Sequence, residues 1–241
     1  MPTSLTATVA DGLIALVIDG TYPPGSALPS EAELAKRFRV SRLTVREAIR
    51  TLASTNVIAV RQGRSSVINP PEKWSPLDPR LLLARSRASG EPLLLFGKLI
   101  EARRTVEIGI AELAAMRRKE QHIRQLSEHL DAMRTAHRLA DVDHFVDADL
   151  AFHTTLFAAA ENVFLDAVFE PLGKVLRTLR TATSSAPQAR EHGIDWHDKI
   201  LVAIGEGNPD LSRETMRAHL DQSQVDSDQY LRERTIGPTG K

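Results

Sequence analysis

Apolar positions in the first 57 residues recur at helical spacing in three short segments. The first segment runs to Val17 and stops before Gly20. Ser30, with Glu33 three residues later, predicts a capping box at the start of the second helix, and Ser41 predicts the N-cap of the third. The pattern therefore predicts three consecutive short helices.

The pattern changes after residue 57. Two short β-branched runs, at 57–60 and 66–68, flank a turn with Gly63 at its tip, which predicts a β-hairpin. Prolines at 70 and 71 then break the structure, so we place one domain over 1–70, a linker over 71–90 and a second domain over 91–241. In the second domain we predict amphipathic helices over 95–118, 120–139, 142–160, 163–183, 196–205 and 211–232, with a loop over 184–192. The predicted fold class is mainly α, a helical domain preceded by three helices and a hairpin.

Composition excludes several classes of protein. Hydrophobic residues make up 42% of the chain, but no apolar run approaches the roughly 20 residues that span a bilayer. The first ten residues have no basic cluster before an apolar stretch, as a secretion signal would. The chain has no cysteine, which excludes disulfides, thiolate metal sites and cysteine nucleophiles. We expect a cytoplasmic protein without a membrane partner.

Charge is distributed unevenly, although the formal net charge is zero. Residues 1–70 carry eight Lys and Arg and five Asp and Glu, a net charge of +3, and all eight cations lie between residues 36 and 64. Such a patch can bind phosphates. The second and third helices fit a helix-turn-helix, whose second helix enters the major groove of double-stranded DNA. Its exposed Arg42 and Arg46, one turn apart, can read guanine in bidentate fashion.

Other DNA contacts are predicted around this helix. Ser41 and Thr44 can bind phosphate or base, and the hairpin tip, Gln62, Gly63 and Arg64, can act as a wing. Composition alone leaves open a solvated basic helix on an ordinary helical domain. The segments Tyr22-Pro-Pro-Gly-Ser-Ala-Leu-Pro-Ser-Glu31 and Val40-Ser-Arg-Leu-Thr-Val-Arg-Glu-Ala48, however, resemble the winged helix of the GntR family of bacterial regulators. This resemblance covers residues 10–68 and implies that Arg42, Thr44, Arg46 and the wing residues contact DNA.

Two polar features interrupt the apolar faces of the helical domain. Arg103 falls on the stripe that contains Leu99 and Val106, where a charge is costly unless it is paired. Glu107, one turn later, is a suitable partner, and spacing alone favours this pair over an anionic ligand at Arg103.

The second feature is a set of potential metal ligands. Asp149 and His153, four residues apart, can chelate one ion, whereas an ordinary hydrogen-bonded core histidine is the alternative. His197 and His219 can join them, although spacing does not show that the residues converge. Asp with three His suits Zn²⁺, Ni²⁺ or Mn²⁺.

The helical domain is also similar to a known effector domain. Glu101-x-Arg103, Asp149-x-x-Phe-His153, the stretch from Ala158 to Asn162, and His197 followed after 22 residues by His219 resemble the C-terminal domain of the FadR-like branch of GntR regulators, over residues 92–232. The resemblance implies an internal pocket, a divalent metal held by Asp149, His153, His197 and His219, and a small carboxylate effector, such as a sugar acid or hydroxy acid, near Arg103 and Asn162. His192 is a weaker rival to His197. Glu161 departs from the family, which has a small residue there.

These features together predict a ligand-responsive regulator, most simply a repressor, that binds a pseudo-palindromic operator as a homodimer and is not an enzyme. One alternative is a metal-dependent hydrolase fused to a DNA-binding module, because a metal with open positions can activate water. Another is an architectural DNA-binding protein with a dead pocket.

Overall fold

The computed structural model describes residues 4–60, 65–89 and 92–235, which fall into two compact units, Met1–Gly90 and Glu91–Lys241. The first unit begins with helices α1 (Leu5–Ile18), α2 (Glu31–Phe38) and α3 (Arg42–Ser54), followed by strands β1 (Ile58–Ala59) and β2 (Val67–Ile68). The two strands pair in antiparallel fashion, with Ile58 opposite Ile68. The three predicted helices and the pairing of the two predicted strands are therefore confirmed, whereas the predicted turn at Gly63 lies outside the described residues.

Local signals explain where these helices begin and end. Ser30 accepts a hydrogen bond from the backbone N–H of Glu33, and the Glu33 carboxylate accepts one from the backbone of Ser30, so the predicted capping box is present. Arg39, in the left-handed region at φ 56°, ends α2. The apolar faces then meet in one core, in which Leu13, Leu34 and Val45 are completely buried.

The segment expected as a linker, 71–90, packs into this first unit as far as it is described. A 3₁₀ turn at Pro71–Lys73 and helix α4 (Pro79–Ser89) lie within it. The Trp74 indole donates a hydrogen bond to the backbone oxygen of Asn69 at 2.8 Å, and Trp74 and Leu81 are buried in the core of the unit. The apolar side chains of this segment indicate that it packs against a core. The two prolines before it led us to predict a linker instead.

The second unit is a helical bundle, as predicted. Its helices are α5 (Pro92–Arg117), α6 (Glu120–Arg138), α7 (Val142–Ala159), α8 (Val163–Phe169), α9 (Gly173–Thr183), α10 (Pro187–Glu206) and α11 (Pro209–Thr235). Helix α5 packs on α7 and α11, α6 packs on α7 and α10, and α10 packs on α11. The interior of the bundle includes Phe152, Leu126 and Ile110, which are almost completely buried. None of the described helices has both the length and the apolar character needed to cross a membrane.

Two predicted boundaries in this unit are wrong. The helix predicted over 163–183 is divided into α8, a 3₁₀ turn at Glu170–Leu172, and α9, because Pro171 has no N–H to donate and cannot lie inside a regular helix. The loop predicted over 184–192 belongs largely to α10, which begins at Pro187. Proline suits the first position of a helix, so Pro187 marks a helix start that we interpreted as a break.

Glu161, which stands where the family has a small residue, lies in the turn between α7 and α8. It has a left-handed backbone at φ 48°, a conformation that favours glycine, and its carboxylate lies 2.5 Å from Nζ of Lys119.

Candidate functional site

The N-terminal end of α3 presents polar side chains to solvent. Arg42 and Arg46 are exposed, whereas Val45 between them is completely buried, so the helix is held by one face and free on the other. The Ser41 hydroxyl accepts a hydrogen bond from the backbone N–H of Thr44 at 3.1 Å and lies 2.9 Å from its hydroxyl. Four of the predicted DNA contacts therefore lie together, at one end of α3.

The wing residues Gln62, Gly63 and Arg64 lie outside the described residues.

A residue that sequence reasoning missed, Glu31, orients one of these arginines. Nε of Arg46 donates to Oε1 of Glu31 at 3.1 Å, and Nη2 donates to Oε2 at 3.0 Å. This hydrogen bonding lowers the pKa of Glu31 and raises the pKa of Arg46, so both groups stay charged near neutral pH. The two residues are on different helices, and neither spacing nor composition indicates that they meet.

Three histidines converge in the interior of the second unit. His153 on α7, His197 on α10 and His219 on α11 are buried, and one ring nitrogen from each lies within 4.8 Å of those of the other two. Buried apolar neighbours on the same helices, such as Ile200 and Leu220, turn these faces inward. The convergence that spacing could not establish is therefore present for the three histidines.

Hydrogen bonding defines which ring nitrogen is available in His197. Its Nδ1 lies 2.6 Å from the backbone oxygen of Gly193, and because a carbonyl only accepts, Nδ1 carries the proton and Nε2 carries a lone pair. Burial, with His153 nearby, lowers the pKa of His197, and burial with His197 nearby lowers that of His219. Both rings are therefore neutral at pH 7.

Asp149 adds a carboxylate beside this cluster. Its Oδ1 lies 3.1 Å from Nε2 of His197, the ring nitrogen that carries the lone pair. Both atoms are hydrogen-bond acceptors, and at that distance they repel each other unless a cation or a proton lies between them. The Nε2 atoms of His153, His197 and His219 are all buried without a hydrogen-bond partner. Buried polar atoms are normally satisfied, so these unsatisfied nitrogens fit a metal ion.

Two buried arginines border the same cluster. Arg103 donates from Nε to Oε1 of Glu107 at 2.7 Å, which is the pair that spacing favoured, and Oε2 of Glu107 lies 2.8 Å from Nδ1 of His153. Burial alone raises the pKa of Glu107, but Arg103 and His153 outweigh it and hold that pKa well below its usual range. Arg180 on α9, which we did not predict, contacts Asp149. These two arginines and two carboxylates balance in charge.

A small cavity opens beside the cluster. It has a volume of about 50 Å³ and is lined by Arg103, Asp149, Arg180 and His219 among other residues. Nη2 of Arg103 is buried without a hydrogen-bond partner, so part of its guanidinium remains available although Nε is paired with Glu107. The cavity therefore combines cationic groups and potential metal ligands around a space about as large as a carboxylate group.

Two other predicted residues lie elsewhere. His192 is not part of the three-histidine group, because its Nδ1 lies 3.0 Å from Oδ1 of Asp226 at the wall of the cavity. The Asn162 side chain accepts a hydrogen bond from the backbone N–H of Phe164 and so caps α8. Asn162 is not among the residues that line this cavity, and its contact with an effector stays a prediction.

Comparison with known proteins agrees with the two units. Residues 5–68 match the gntR family of bacterial regulatory proteins, and residues 98–222 match the FCD domain. The chain is 29% identical to the transcriptional regulator LutR of Bacillus subtilis over 213 residues, which are 85% of this chain and 93% of LutR. It is 28% identical to the galactonate operon transcriptional repressor of Escherichia coli over 199 residues, which are 82% of this chain and 86% of that repressor.

A solved structure shares the fold. The Listeria monocytogenes protein Lar, described as controlling expression of the agr system, superposes with a TM-score of 0.69 at 19% identity, covering 95% of this chain and 99% of Lar. LutR and the galactonate operon repressor are named as transcription regulators, so the alternative of a fused hydrolase is not supported. The chain belongs to the GntR family of bacterial regulatory proteins, with an FCD effector domain, and is a ligand-responsive transcription regulator.

Proposed function

We propose that the chain is a repressor whose operator affinity is controlled by a small carboxylate bound beside a divalent metal ion in the second unit. The observation that carries this proposal is the set of three buried Nε2 atoms without partners, of His153, His197 and His219, next to a cavity with two arginines. Buried polar atoms are normally hydrogen-bonded, so three unsatisfied nitrogens gathered around one point, beside two buried arginines, favour a site for a cation and an anion.

The residues suggest which metals bind. His153, His197 and His219 supply nitrogen and Asp149 supplies oxygen, a set that suits Zn²⁺, Ni²⁺ or Mn²⁺. A bound ion supplies positive charge and open coordination positions for a ligand oxygen. Because the buried arginines and carboxylates already balance, a divalent ion leaves an excess of positive charge, which favours an anionic effector.

The cavity wall indicates the effector's other groups. It contains the hydroxyl-bearing residues Thr183, Ser184 and Ser227 and the amide of Gln222. The hydroxyls of Thr183 and Ser227 donate to backbone oxygens of their own helices, and their lone pairs can accept hydrogen bonds from the hydroxyl groups of a ligand. The repressor of the galactonate operon is a relative, and galactonate carries one carboxylate and several hydroxyls, so sugar acids and smaller hydroxy acids are the class we favour.

The first unit supplies the DNA contact. Arg42 and Arg46 have the chemistry for guanine edges, and Ser41 and Thr44 for phosphate. We propose a homodimer that places two such units on the half-sites of a pseudo-palindromic operator, in the cytoplasm where that DNA lies. An effector alters operator affinity only to the extent that it binds the DNA-bound and free states unequally.

Gel shifts with the full chain test the proposal. Operator sequences are first selected from random duplex DNA, and binding is then measured with metal alone, with metal plus D-galactonate or a smaller hydroxy acid, and with metal, acid and a chelator. We expect one of the acids to change operator affinity only when metal is present. An acid effect that persists in chelator would refute the metal's role, and selection of no preferred sequence would refute the regulator's DNA specificity.

A further inference from the structure

Helices α7 and α9 are joined by two ion pairs that differ in their surroundings. Arg177 contacts Asp147 at the surface, where the side chains are 49% and 56% exposed. Arg180 contacts Asp149 in the interior, where both side chains are 9% exposed. A buried pair gains little net stability, because removing both charges from water costs about as much as their attraction returns. The interior pair therefore calls for a role other than stability.

Asp149 has two neighbours, one at each oxygen of its carboxylate. Oδ2 contacts Arg180, whereas Oδ1 lies 3.1 Å from Nε2 of His197. If a cation held by the histidines takes both oxygens, Arg180 loses its partner. A buried guanidinium without an anion is strongly unfavourable, so a second anion must then take the place of Asp149.

The buried Arg180 also borders two cavities. It lines the polar cavity of about 50 Å³ and a second cavity of about 300 Å³, whose wall includes His153, Phe157 and Leu176. Arg103, in contrast, is held by Glu107, with which it shares one helix. Arg180 is thus the arginine whose partner can leave without breaking a pair within one helix.

We propose that Arg180 anchors the effector's carboxylate, and that Asp149 stands in for this carboxylate until metal binding draws Asp149 away. This inference rests on the proposed function, a metal-assisted carboxylate receptor. The guanidinium exchanges one carboxylate for another and is never left unpaired, and its fork suits bidentate pairing with either. Metal therefore prepares the site for the effector through Asp149.

Substitution of Arg180 has opposite expected effects on the two ligands. In Arg180→Met, Ni²⁺ affinity, measured by calorimetry of the full chain, is expected to rise about tenfold, because a competing cation beside the site is gone. Acetate is the probe for the carboxylate, since it brings no other group. Its affinity for the Ni²⁺-loaded variant, followed by the visible absorption of the metal, is expected to fall roughly tenfold or more, as for a lost charge-assisted hydrogen bond.

Two further variants control the experiment. Arg177→Met removes the exposed arginine of the same helix and is expected to change neither affinity. Arg180→Lys keeps the charge without the fork, so Ni²⁺ affinity is expected to stay near that of the unaltered chain while acetate affinity falls, which tests the inference even if Arg180→Met does not fold.

Three outcomes would overturn the inference. If both affinities fall in Arg180→Met, the residue is merely structural, and if neither changes, it touches neither ligand. In these two cases the unaltered chain still binds Ni²⁺ and acetate, and the proposed function stands. If the unaltered chain binds neither probe, the proposed function fails and the inference fails with it.

Discussion

Glu31 on α2 accepts two hydrogen bonds from Arg46 on α3, at 3.1 and 3.0 Å, and so fixes the guanidinium fork at the edge of the helix predicted to read DNA. The pair is partly exposed, with Arg46 52% and Glu31 37% accessible, and contributes little to stability. The pair instead orients Arg46. A guanidinium that is already held in place loses less conformational entropy when it binds the edge of a base.

Replacement of Arg46 tests its contact with DNA. In Arg46→Ala we expect operator binding to weaken by about 1–3 kcal/mol, the usual value of a bidentate contact to guanine. Arg46→Lys keeps the charge but not the planar guanidinium fork. Relative to the unaltered chain, it should therefore lose less affinity for random DNA than for the operator. Gel shifts with both DNAs measure the difference, and an undiminished operator affinity in Arg46→Ala would show that another residue reads the sequence.

Removing the Glu31 charge should also lower the preference for the operator, but by tightening the binding to random DNA. Glu31 is ionised at neutral pH, since hydrogen bonding from Arg46 lowers its pKa, and its negative charge repels phosphate. In Glu31→Gln we expect tighter binding to random DNA and a smaller ratio of operator to random affinity, because Arg46 is no longer oriented. Binding isotherms at several salt concentrations measure both, and an unchanged ratio would contradict the orienting role.

The sequence predicted those parts of the molecule that depend on neighbouring residues. The capping box of Ser30 and Glu33 and the helix beginning after Ser41 are local, so they could be found from spacing. Arg103 and Glu107, one turn apart on α5, were likewise predictable as a pair. The convergence of the three histidines depends on the packing of three helices, so only the family resemblance indicated it.

Contacts between distant segments escaped prediction for the same physical reason. Arg180 reaches Asp149 only because α9 packs on α7, and Glu31 reaches Arg46 across the turn between α2 and α3. Within its own segment, each of these side chains has the pattern of an ordinary exposed charged residue. Only the packed structure shows that Arg180 is buried.

His153→Ala should remove stoichiometric metal. His153 supplies one of three converging ring nitrogens, and loss of a ligand should weaken metal binding by more than about 100-fold, since even changes behind the ligands cost 10–100-fold. His144→Ala is the matched control, because His144 lies on the same helix but is 79% exposed and pairs with Asp141. Elemental mass spectrometry of both purified variants gives the metal content, and equal content in the two would exclude His153 as a ligand.

Arg103→Met should destabilise the second unit. It leaves the Glu107 carboxylate, whose side chain is 1% exposed, without its main cation, and breaking a buried pair in this way costs about 3–5 kcal/mol. Arg124→Met breaks a pair with Glu120 of the same spacing at the surface, where the cost is about 0–1 kcal/mol. Urea unfolding of the metal-free chain measures both, and equal losses would show that burial does not govern the Arg103 pair.

A thermal-shift screen of the unaltered chain against small carboxylates, with and without a chelator, separates the roles of metal and arginine. A ligand at 100 times its Kd stabilises by about 2.7 kcal/mol, which at roughly 2–4 °C per kcal/mol is a shift of several degrees. We expect a stabilising acid whose shift disappears with chelation, because the metal both attracts the anion and releases Arg180 from Asp149. A shift that is indifferent to chelation would instead leave Arg103 and Arg180 as the anchors, and would assign the histidines a purely structural ion.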